Sequence, residues 1–510
     1  MRTTAARTSG MVLLALAAAA CTPGRADIST PGPEGPAASS TLTTDPPPAT
    51  TTSQAPTDDR RPVILDYSPT VSDLGALALL AAHPDIRLIA VTLPGTGESY
   101  CEPGVAHTRG VLVQLDQKDI PVACGPDDPL SGWNAFPTSW RIASNEMELP
   151  IAEPNETRSA PDLIVDLVRS SDVPVEIVAV GPLTNVAIAL QSAPDMTSNV
   201  AGITIMGGAV DIAGNVFRNE VAEWNIWVDP TAAGVVLASG APVTLVPLNA
   251  TNHTPTGRIF YDALLAAEST PESSLVSGIW RAAEEQVTNP DGFWFFWDEL
   301  AAAVLVDSSI VSFETRTLVV DDDLRENKGW TREDPSGTAV RVAVSSNRLA
   351  FETLFLETLV GGPVDLGYLE ATPAEITYLT EVAAIADETQ VAIDDLFEAA
   401  AADIDPSQDD DEGFFLLLLT ILSQAVDGPL AEQLMGLAAL DVPPSLAENH
   451  RQYLAALSGL IDSRDEMMAV LEADGTIDAF EQFLEPSTEA CLAIQREADV
   501  RLLDIDAMCF

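Results

Sequence analysis

From residue 62 onward, short apolar segments alternate along the chain with longer amphipathic ones. The apolar segments have the length of buried strands and lie at 63–66, 87–91, 120–123, 176–180, 202–206 and 242–246. Helical patterns separate them at 73–82, 159–168, 183–190 and 229–238. Repeated βα units predict an α/β fold in which flanking helices cover a mainly parallel sheet. In such sheets the ligand site lies beyond the carboxyl ends of the strands.

Polar side chains and glycines collect just after these predicted strands. The segments concerned are 66–73, 95–97, 124–130, 181–185 and 206–225, and a later helix opens with Trp297 and Asp298. An Asp at a helix start is usually a cap and a Gly-Pro pair is usually a turn, so each segment alone has a structural interpretation. Their repetition along one edge of the sheet favours a ligand site instead.

Five runs in this part of the chain resemble those of a known family. They lie at 63–73, 119–130, 180–187, 205–208 and 221–233. In order and spacing, residues 62 to about 360 resemble the inosine/uridine-preferring nucleoside hydrolase family. The resemblance implies the sheet and helices of that family. It also implies hydrolysis of the N-glycosidic bond of ribonucleosides with a bound Ca²⁺.

The resemblance further implies roles for individual residues. The family opens with D-x-D-x-x-x-D-D, in which the second Asp activates water and binds Ca²⁺, the third contacts ribose hydroxyls and the fourth binds Ca²⁺. Asp66 and Asp73 match the first and fourth positions. The second position, that of the catalytic base, is Ser68, and the third is Ser72.

Further family positions follow along the chain. The implied calcium ligands are Asp73, the backbone carbonyl of Thr184 and Asp298. The implied sugar and base contacts are Thr96, Met206, Asn215, Glu223, Asn225 and Trp297. Trp297 replaces a His that part of the family uses, and belongs to an aromatic run at 293–297. A base could stack on this run at the mouth of the pocket, and the alternative is packing in the core or a lid.

The two serines change what this site can do. Ca²⁺ prefers six to eight oxygen ligands with carboxylates among them, so the calcium site is expected to be weakened or lost. The hydroxyl of Ser68 is neutral and cannot take the proton of an attacking water at neutral pH. Asp66 lies two residues earlier on the same strand, roughly 6–7 Å deeper than Ser68, which is too far for it to act in place of the missing base. Glu98 or Glu223 would have to relay the proton instead.

Two functions therefore stay open. The first is hydrolysis of ribonucleosides or of a related N-glycoside, and the family resemblance favours this enzymatic interpretation. The second is a catalytically impaired protein that binds a nucleoside or sugar, or serves as a cell-envelope scaffold. The residues implied to contact the ribose are kept, whereas the carboxylate of the catalytic base is lost. Both functions imply a small-molecule partner and allow a homo-oligomer.

The first 61 residues predict export and tethering. Arg2 and Arg7 precede an apolar run, and small residues lead directly into Cys21. This pattern resembles the lipobox of bacterial lipoproteins, so residues 1–20 are predicted to be a signal peptide and Cys21 a lipidation site. An ordinary cleaved signal peptide with an incidental cysteine is the alternative. Residues 21–61 are rich in Pro, Thr and Ser and predict a stiff tether, so we expect an extracytoplasmic protein held at the cell membrane by its lipid anchor only.

The four other cysteines suit an oxidising exterior. Cys101 and Cys124 are 23 residues apart, and Cys491 and Cys509 are 18 apart. Two local disulfides are therefore predicted. For Cys101 and Cys124 the alternative is a pair of buried free thiols.

The part of the chain after residue 361 differs in character. Residues 362–510 show helical patterns without strands and predict an acidic all-α domain after the hydrolase-like domain at 62–361. This part holds 32 of the 77 acidic residues and four of the 24 basic ones, in a chain of net charge −53. Such a charge repels phosphate backbones and anionic lipid heads, which excludes nucleic-acid binding and a polybasic membrane surface.

Overall fold

The computed structural model describes residues 58–217, 219–289, 294–322, 328–401, 421, 423–474 and 478–502. Within these ranges, nine strands form one sheet. They are β1 (Arg61–Asp66), β2 (Ile86–Leu93), β3 (Val122–Cys124), β4 (Val175–Ala179), β5 (Val200–Met206), β6 (Val243–Val246), β7 (Val311–Val320), β8 (Thr331–Glu333) and β9 (Thr338–Ser346). The first six are the six predicted strands, each shifted by at most three residues at either end.

Thirteen α-helices accompany the sheet in the described residues up to 360. They are α1 (Val71–Ala82), α2 (Cys101–Gln114), α3 (Thr138–Asn145), α4 (Ala160–Ser170), α5 (Thr184–Ser192), α6 (Trp224–Val228), α7 (Pro230–Leu237), α8 (Leu248–Thr251), α9 (Arg258–Ala267), α10 (Pro271–Ala282), α11 (Glu284–Thr288), α12 (Trp297–Val306) and α13 (Arg348–Val360).

The strand order is β3-β2-β1-β4-β5-β6-β9-β7-β8. All pairs from β3 to β9 are parallel, and β7 pairs antiparallel with β9 and β8. The prediction of a mainly parallel α/β sheet is confirmed. The direction of strand succession reverses between β1 and β4, and the carboxyl ends of strands at such a reversal bound a crevice.

Apolar side chains cover both faces of the sheet. Successive side chains of a strand point to opposite faces, so Leu65 and Ile64 of β1 enter different clusters. One cluster packs β1 against α1 and α12, and it includes Phe260 and Phe296. The other packs the opposite face against α4, α5 and α7. Two buried faces explain why the central strands are apolar throughout.

The described C-terminal part is helical, as predicted. Its α-helices are α14 (Pro373–Ala401), α15 (Ala431–Ala438), α16 (Ala447–Asp462), α17 (Arg464–Asp474) and α18 (Asp478–Asp499). A single helix spans 373–401, where the sequence pattern predicts separate helices at 373–386 and 391–402. No helix in the described ranges is both long and apolar enough to cross a membrane.

The chain divides into two compact units. The larger comprises the described residues of 60–384, 439–457 and 484–502, and the smaller those of 58–59, 385–438 and 458–483. In the larger unit, the Tyr378 hydroxyl and His450 Nδ1 are hydrogen-bonded at 3.0 Å, and Arg501 pairs with Glu375 at 2.8 Å. The domain boundary predicted between 361 and 362 stays a prediction.

Candidate active site

The sheet brings most of the predicted site residues to one edge. Asp66 and Met206 end the strands β1 and β5, Thr96 follows β2, and Thr184 begins the helix after β4. All four are buried, because helices and loops cover the crevice at this edge. The side chains predicted on the ribose side, Glu223 and Asn225, lie at the start of α6 and are buried as well, whereas Asn215 and Trp297 are half-buried.

Asp66 is an internal anchor of the sheet. One carboxyl oxygen accepts hydrogen bonds from the Thr92 hydroxyl at 2.6 Å and from the Asn185 amide at 2.8 Å. The other oxygen has no hydrogen-bond partner among the described residues. Burial raises the pKa of Asp66 to about 7, although the two hydrogen bonds oppose this. The carboxyl is therefore placed to connect β1 with β2 and α5.

Ser68 lies beneath the loop that follows β2. Its hydroxyl accepts a hydrogen bond from the Glu98 N–H at 3.2 Å, and its own N–H donates to Asp73 at 2.8 Å. Gly97 makes this covering possible, because a Cβ atom there would lie 2.0 Å from Ser68 Oγ. The residue at the family's base position is therefore a buried hydroxyl in close contact with the loop.

Ser72 fastens α1 to α12. Its hydroxyl donates to Glu299 at 2.7 Å and accepts from the backbone N–H of Asp298 at 3.1 Å. Glu299 is fully enclosed, and burial raises its pKa to about 8. Gly75 leaves the space for it, since a Cβ atom at that position would lie 2.5 Å from Glu299 Oε1. The hydroxyl that replaces the family's ribose contact is thus committed to a helix–helix bond.

Asp73 and Asp298 form an acidic pair at the same edge. Asp73 accepts hydrogen bonds from the Ser68 N–H and the Thr70 hydroxyl, and burial raises its pKa. Burial also raises the pKa of Asp298, and the negative charges of Asp73 and Glu299 raise it further. Burial and mutual proximity therefore disfavour the charged forms of both carboxyls.

The contacts of these residues do not fit the calcium centre that the resemblance implies. Both oxygens of Asp73 already accept hydrogen bonds, and the other calcium-binding position of the family motif is the hydroxyl of Ser68. In the part of the chain that the structure describes, no three His, Cys, Asp or Glu side chains are grouped to hold a metal ion. A Ca²⁺ ion requires six to eight oxygens with carboxylate charge among them. Calcium therefore has no part in the chemistry proposed below.

The ribose-side residues are arranged around the start of α6. Glu223 caps this helix by accepting from the N–H groups of Asn225 and Ile226, and it also accepts from the Gly208 N–H at 3.1 Å. Asn225 donates to the Val180 carbonyl at 3.0 Å. These bonds join the ends of β4 and β5 to α6.

A line of hydroxyls leads from the β2 loop to a carboxylate that sequence reasoning missed. Thr96 Oγ1 and Thr184 Oγ1 lie 3.0 Å apart, and Thr184 Oγ1 donates to Asp229 at 2.8 Å. Asp229 also accepts from the Leu130 N–H, which draws the loop after β3 toward α7. Thr96 is therefore held in place by Thr184, and its contact with the sugar stays a prediction. Asp229 looks like an ordinary helix cap in the sequence, so its second role gave no signal.

Two further carboxylates lie near the serines: Glu299, which the sequence did not single out, and Glu98, which the sequence named as a proton relay. Glu299 follows Asp298 directly in the chain. The sequence feature that matches it is a pair of small residues, Ser72 and Gly75, which lie three residues apart on one face of α1. Glu98 is half-buried, accepts a hydrogen bond from the Ser144 hydroxyl at 3.0 Å, and has its pKa raised by burial.

The aromatic run that includes Trp297 divides between two environments. Phe296 is buried in the core, 4.9 Å from the ring of Phe260. Trp297 is half-buried and lies 5.8–5.9 Å from the rings of Phe295 and Trp294. Residue 293 lies outside the described residues. Core packing thus accounts for Phe296, and Trp297 stays a predicted contact of the base.

A second aromatic cluster escaped the sequence analysis. It consists of Phe136, Trp140, Phe217, Trp224 and Trp227, and we call it the α6 aromatic cluster. Trp224 lies at its centre, with ring centroids 5.0–6.3 Å from the other four rings. Its members come from three segments up to 91 residues apart, so no local pattern could reveal it.

A disulfide braces two loops of this edge. Cys101 and Cys124 are bonded, as predicted, and join the start of α2 to the end of β3. Cys491 is buried and disulfide-bonded, but Cys509 lies outside the described residues, so the pairing of these two stays a prediction.

Comparisons with known proteins agree with this architecture. A sequence model of the family described as inosine-uridine preferring nucleoside hydrolase matches residues 63–353. The pyrimidine-specific ribonucleoside hydrolases RihA of Shewanella sp. strain MR-7 and of Salmonella paratyphi A are each 36% identical, over 202 and 194 residues. Each alignment covers 38% of this chain, which spans 60–61% of the length of these curated relatives.

Solved structures match over a longer stretch. A plant nucleoside hydrolase is 26% identical with a TM-score of 0.54, covering 59% of this chain and 99% of that one. A purine-preferring ribonucleoside hydrolase from Gardnerella vaginalis is 27% identical with a TM-score of 0.51, covering 59% and 98%. Since the family match spans more than half of the chain and coincides with the sheet just described, this protein belongs to the inosine-uridine preferring nucleoside hydrolase family.

Proposed function

We propose that the larger unit hydrolyses the N-glycosidic bond of ribonucleosides or of a related N-glycoside. Membership of the family supports the reaction class, and the grouping of Asn215, Glu223 and Asn225 around α6 supports a sugar site. The relatives named above include a pyrimidine-specific and a purine-preferring enzyme. The proposal therefore does not specify which nucleobase the substrate carries.

Glu98 carries this proposal. Its backbone N–H bonds the hydroxyl of Ser68, which brings Glu98 beside the position of the family's base. Its carboxyl is half-buried and accepts a hydrogen bond from Ser144, and burial raises its pKa, which makes it a stronger proton acceptor. Glu223, the other carboxylate considered from the sequence, already accepts three backbone hydrogen bonds and is only 2% exposed.

The proposed reaction balances with water as the only co-reactant. The water oxygen bonds to C1′ of the ribose while Glu98 accepts one water proton. The C1′–N bond breaks, and its electron pair leaves with the base, which takes up a proton from solvent. Glu98 then returns its proton to solvent, so the products are ribose and the free base.

Replacement of Glu98 by Gln tests the proposal. We expect kcat/KM for ribose release from a nucleoside panel to fall by about 100-fold or more, because the proton acceptor is lost while the shape is kept. The matched control is Glu102→Gln, an exposed change four residues along, which should leave the rate unaltered. Both variants are assayed in EDTA and in millimolar calcium, and equal rates in the two buffers are expected.

Specific contacts favour a second candidate, a binding protein without catalysis. The hydroxyls of Ser68 and Ser72 are committed to structural hydrogen bonds, so neither supplies a base. A wild-type protein that binds nucleosides without releasing ribose would establish this alternative, and turnover gained by the Ser68→Asp/Ser72→Asp variant would mark it as a decayed enzyme. Full activity of Glu98→Gln would instead refute the role of Glu98.

We further propose that the protein is lipid-anchored outside the cytoplasm through Cys21. The lipobox-like sequence and the Pro/Thr/Ser-rich stretch at 21–61 support this, and residues 1–57 lie outside the described residues. A Cys21→Ala variant should move from the membrane fraction to the soluble or secreted fraction of its bacterial host, as detected by immunoblot. Unchanged membrane association would refute the anchor. A homo-oligomer stays a prediction.

A further inference from the structure

The buried hydroxyls on the sugar side of the proposed pocket are already bonded within the protein. The Ser72 hydroxyl donates to Glu299 at 2.7 Å and accepts a backbone N–H bond at 3.1 Å. Thr96 Oγ1 lies 3.0 Å from Thr184 Oγ1, whose own proton is donated to Asp229. Thr96 is therefore the donor between these two hydroxyls. The protons of Ser72 and Thr96 are both committed to protein groups and not to a sugar.

The carboxylate and amide at the start of α6 are satisfied in the same way. Glu223 accepts three backbone N–H bonds at 2.9–3.1 Å. The Asn225 amide donates to the Val180 carbonyl at 3.0 Å and to the Met206 carbonyl at 3.4 Å. We call four buried side chains the sugar-side residues: Ser72, Thr96, Glu223 and Asn225. None of these four has a buried side-chain oxygen or nitrogen that lacks a hydrogen-bond partner in the described structure.

This internal pairing determines how the pocket responds to a missing sugar hydroxyl. A site built to bond a substrate hydroxyl rejects the analogue that lacks it by about 10⁴–10⁵-fold, because its own polar groups are then left unpaired. The sugar-side residues lose no partner when a hydroxyl is missing, since each is paired within the protein. A hydroxyl that enters this buried edge gives up its bonds to water and meets protons that are already committed. The pocket therefore favours a sugar with fewer hydroxyls.

The chemistry of the reaction identifies the 2′-hydroxyl as the one whose absence helps most. As the C1′–N bond breaks, C1′ gains positive charge in an oxocarbenium-like transition state. An oxygen on the neighbouring C2′ withdraws electrons and opposes this charge, whereas an oxygen on C3′ is one carbon further away. A 2′-deoxy sugar thus loses its base more readily. Such a sugar suits a site in which the hydroxyl of Ser68 stands at the position of the base.

We propose that the substrates are 2′-deoxyribonucleosides. The inference rests on the proposed function, since it names the sugar that the same pocket would take. The water oxygen bonds to C1′ while Glu98 accepts one water proton, and the C1′–N bond breaks. Its electron pair leaves with the base, which takes up a proton from solvent. The products are 2-deoxyribose and the free base, with water as the only co-reactant.

Hydrolysis of matched substrates by the full-length protein tests the sugar. The panel is uridine, 2′-deoxyuridine and 3′-deoxyuridine, with the three corresponding inosine derivatives. We expect kcat/KM for a 2′-deoxynucleoside to exceed that for its ribonucleoside by about tenfold, and the 3′-deoxynucleoside to stay within about threefold of the ribonucleoside. A ribonucleoside or a 3′-deoxynucleoside that is hydrolysed faster than its 2′-deoxy counterpart would overturn the inference.

Thr96→Val and Ser72→Ala separate a sugar contact from a structural role. Because both hydroxyls bond protein groups, each variant should change kcat/KM for uridine and 2′-deoxyuridine by the same factor, within about twofold. A tenfold change in the ratio of the two would place the hydroxyl on the sugar and overturn the inference. Thr96→Val leaves the bond to Glu299 intact, so it decides the question if Ser72→Ala does not fold. The matched control is Ser170→Ala, an exposed change at the end of α4, which should leave both rates unaltered.

Hydrolysis and sugar preference fail in different ways. Faster release of ribose than of 2-deoxyribose would support hydrolysis and refute the preference. If the wild type releases neither sugar from any substrate, hydrolysis is refuted, and calorimetric titration with uridine and 2′-deoxyuridine then tests the pocket by itself. Tighter binding of 2′-deoxyuridine would support the preference for a deoxy sugar. Tighter binding of uridine, or no binding of either nucleoside, would overturn it.

Discussion

At the scale of single residues, the buried carboxyl of Asp66 links the site to the pH dependence of stability. Its pKa is about 7 in the folded protein and 3.8 when unperturbed, and burial is the main cause of the increase. Between these values the unfolded chain is ionised while the folded chain keeps the proton. The contribution of Asp66 is therefore complete below about pH 4 and decreases as the pH rises toward 7.

The resulting prediction concerns Asp66→Asn. One side-chain oxygen would still accept from Thr92 and Asn185, and the new amide replaces the oxygen that lacks a partner. We expect the free energy of unfolding of the variant to fall less steeply between pH 4 and 7, by up to about 1.4 kcal/mol per pH unit. Urea denaturation at a series of pH values measures this, and Asp128→Asn, an exposed change, is the control. Parallel pH curves for wild type and Asp66→Asn would contradict the assignment.

At the scale of elements, the sequence predicts what depends on local pattern. The six parallel strands and the helix α1 follow from apolar runs and their spacing, since both faces of these strands are buried. The strand β7 is not predicted from the sequence because only two of its ten residues are buried and it carries Glu314 and Arg316. The long helix α14 was divided in two because exposed acidic residues near 387 interrupt its apolar pattern without breaking the helix.

In the candidate site, too, some contacts follow from local sequence pattern and others do not. Position along the chain predicts that Asp66, Thr96, Thr184 and Met206 meet at one edge, because parallel strands end together. The bond between Ser72 and Glu299 spans 227 residues, and only the packing of α1 on α12 creates it. The α6 aromatic cluster is equally non-local. Contacts between distant elements leave no periodic pattern in the sequence, so only the structure reveals them.

At the scale of the whole molecule, the last described helix contributes to the unit that contains the site. Asp499, at the end of α18, pairs with Arg348 of α13 at 2.6 Å, and the Leu369 N–H donates to the Val500 carbonyl at 2.7 Å. Arg348 also pairs with the fully enclosed Glu352 at 2.8 Å, and Tyr368 donates to the same Glu352. A buried charge network thus joins the sheet-bearing part of the chain to its C-terminal residues.

Asp499→Ala is predicted to destabilise the larger unit. The substitution removes one charge-assisted hydrogen bond from the largely buried Arg348, which stays paired with Glu352, and such a bond typically contributes about 1.5–3 kcal/mol. Asp427→Ala breaks another Arg–Asp pair, with Arg464, in which the Asp side chain is 59% exposed, so its cost should stay below about 1 kcal/mol. Urea denaturation of the two full-length variants, followed by circular dichroism, compares them.

Equal midpoints would show that Asp499 adds no more than a surface contact. A clear difference would mean that truncation at residue 361 also removes part of the support of α13, and that assays of the proposed function require the chain through α18.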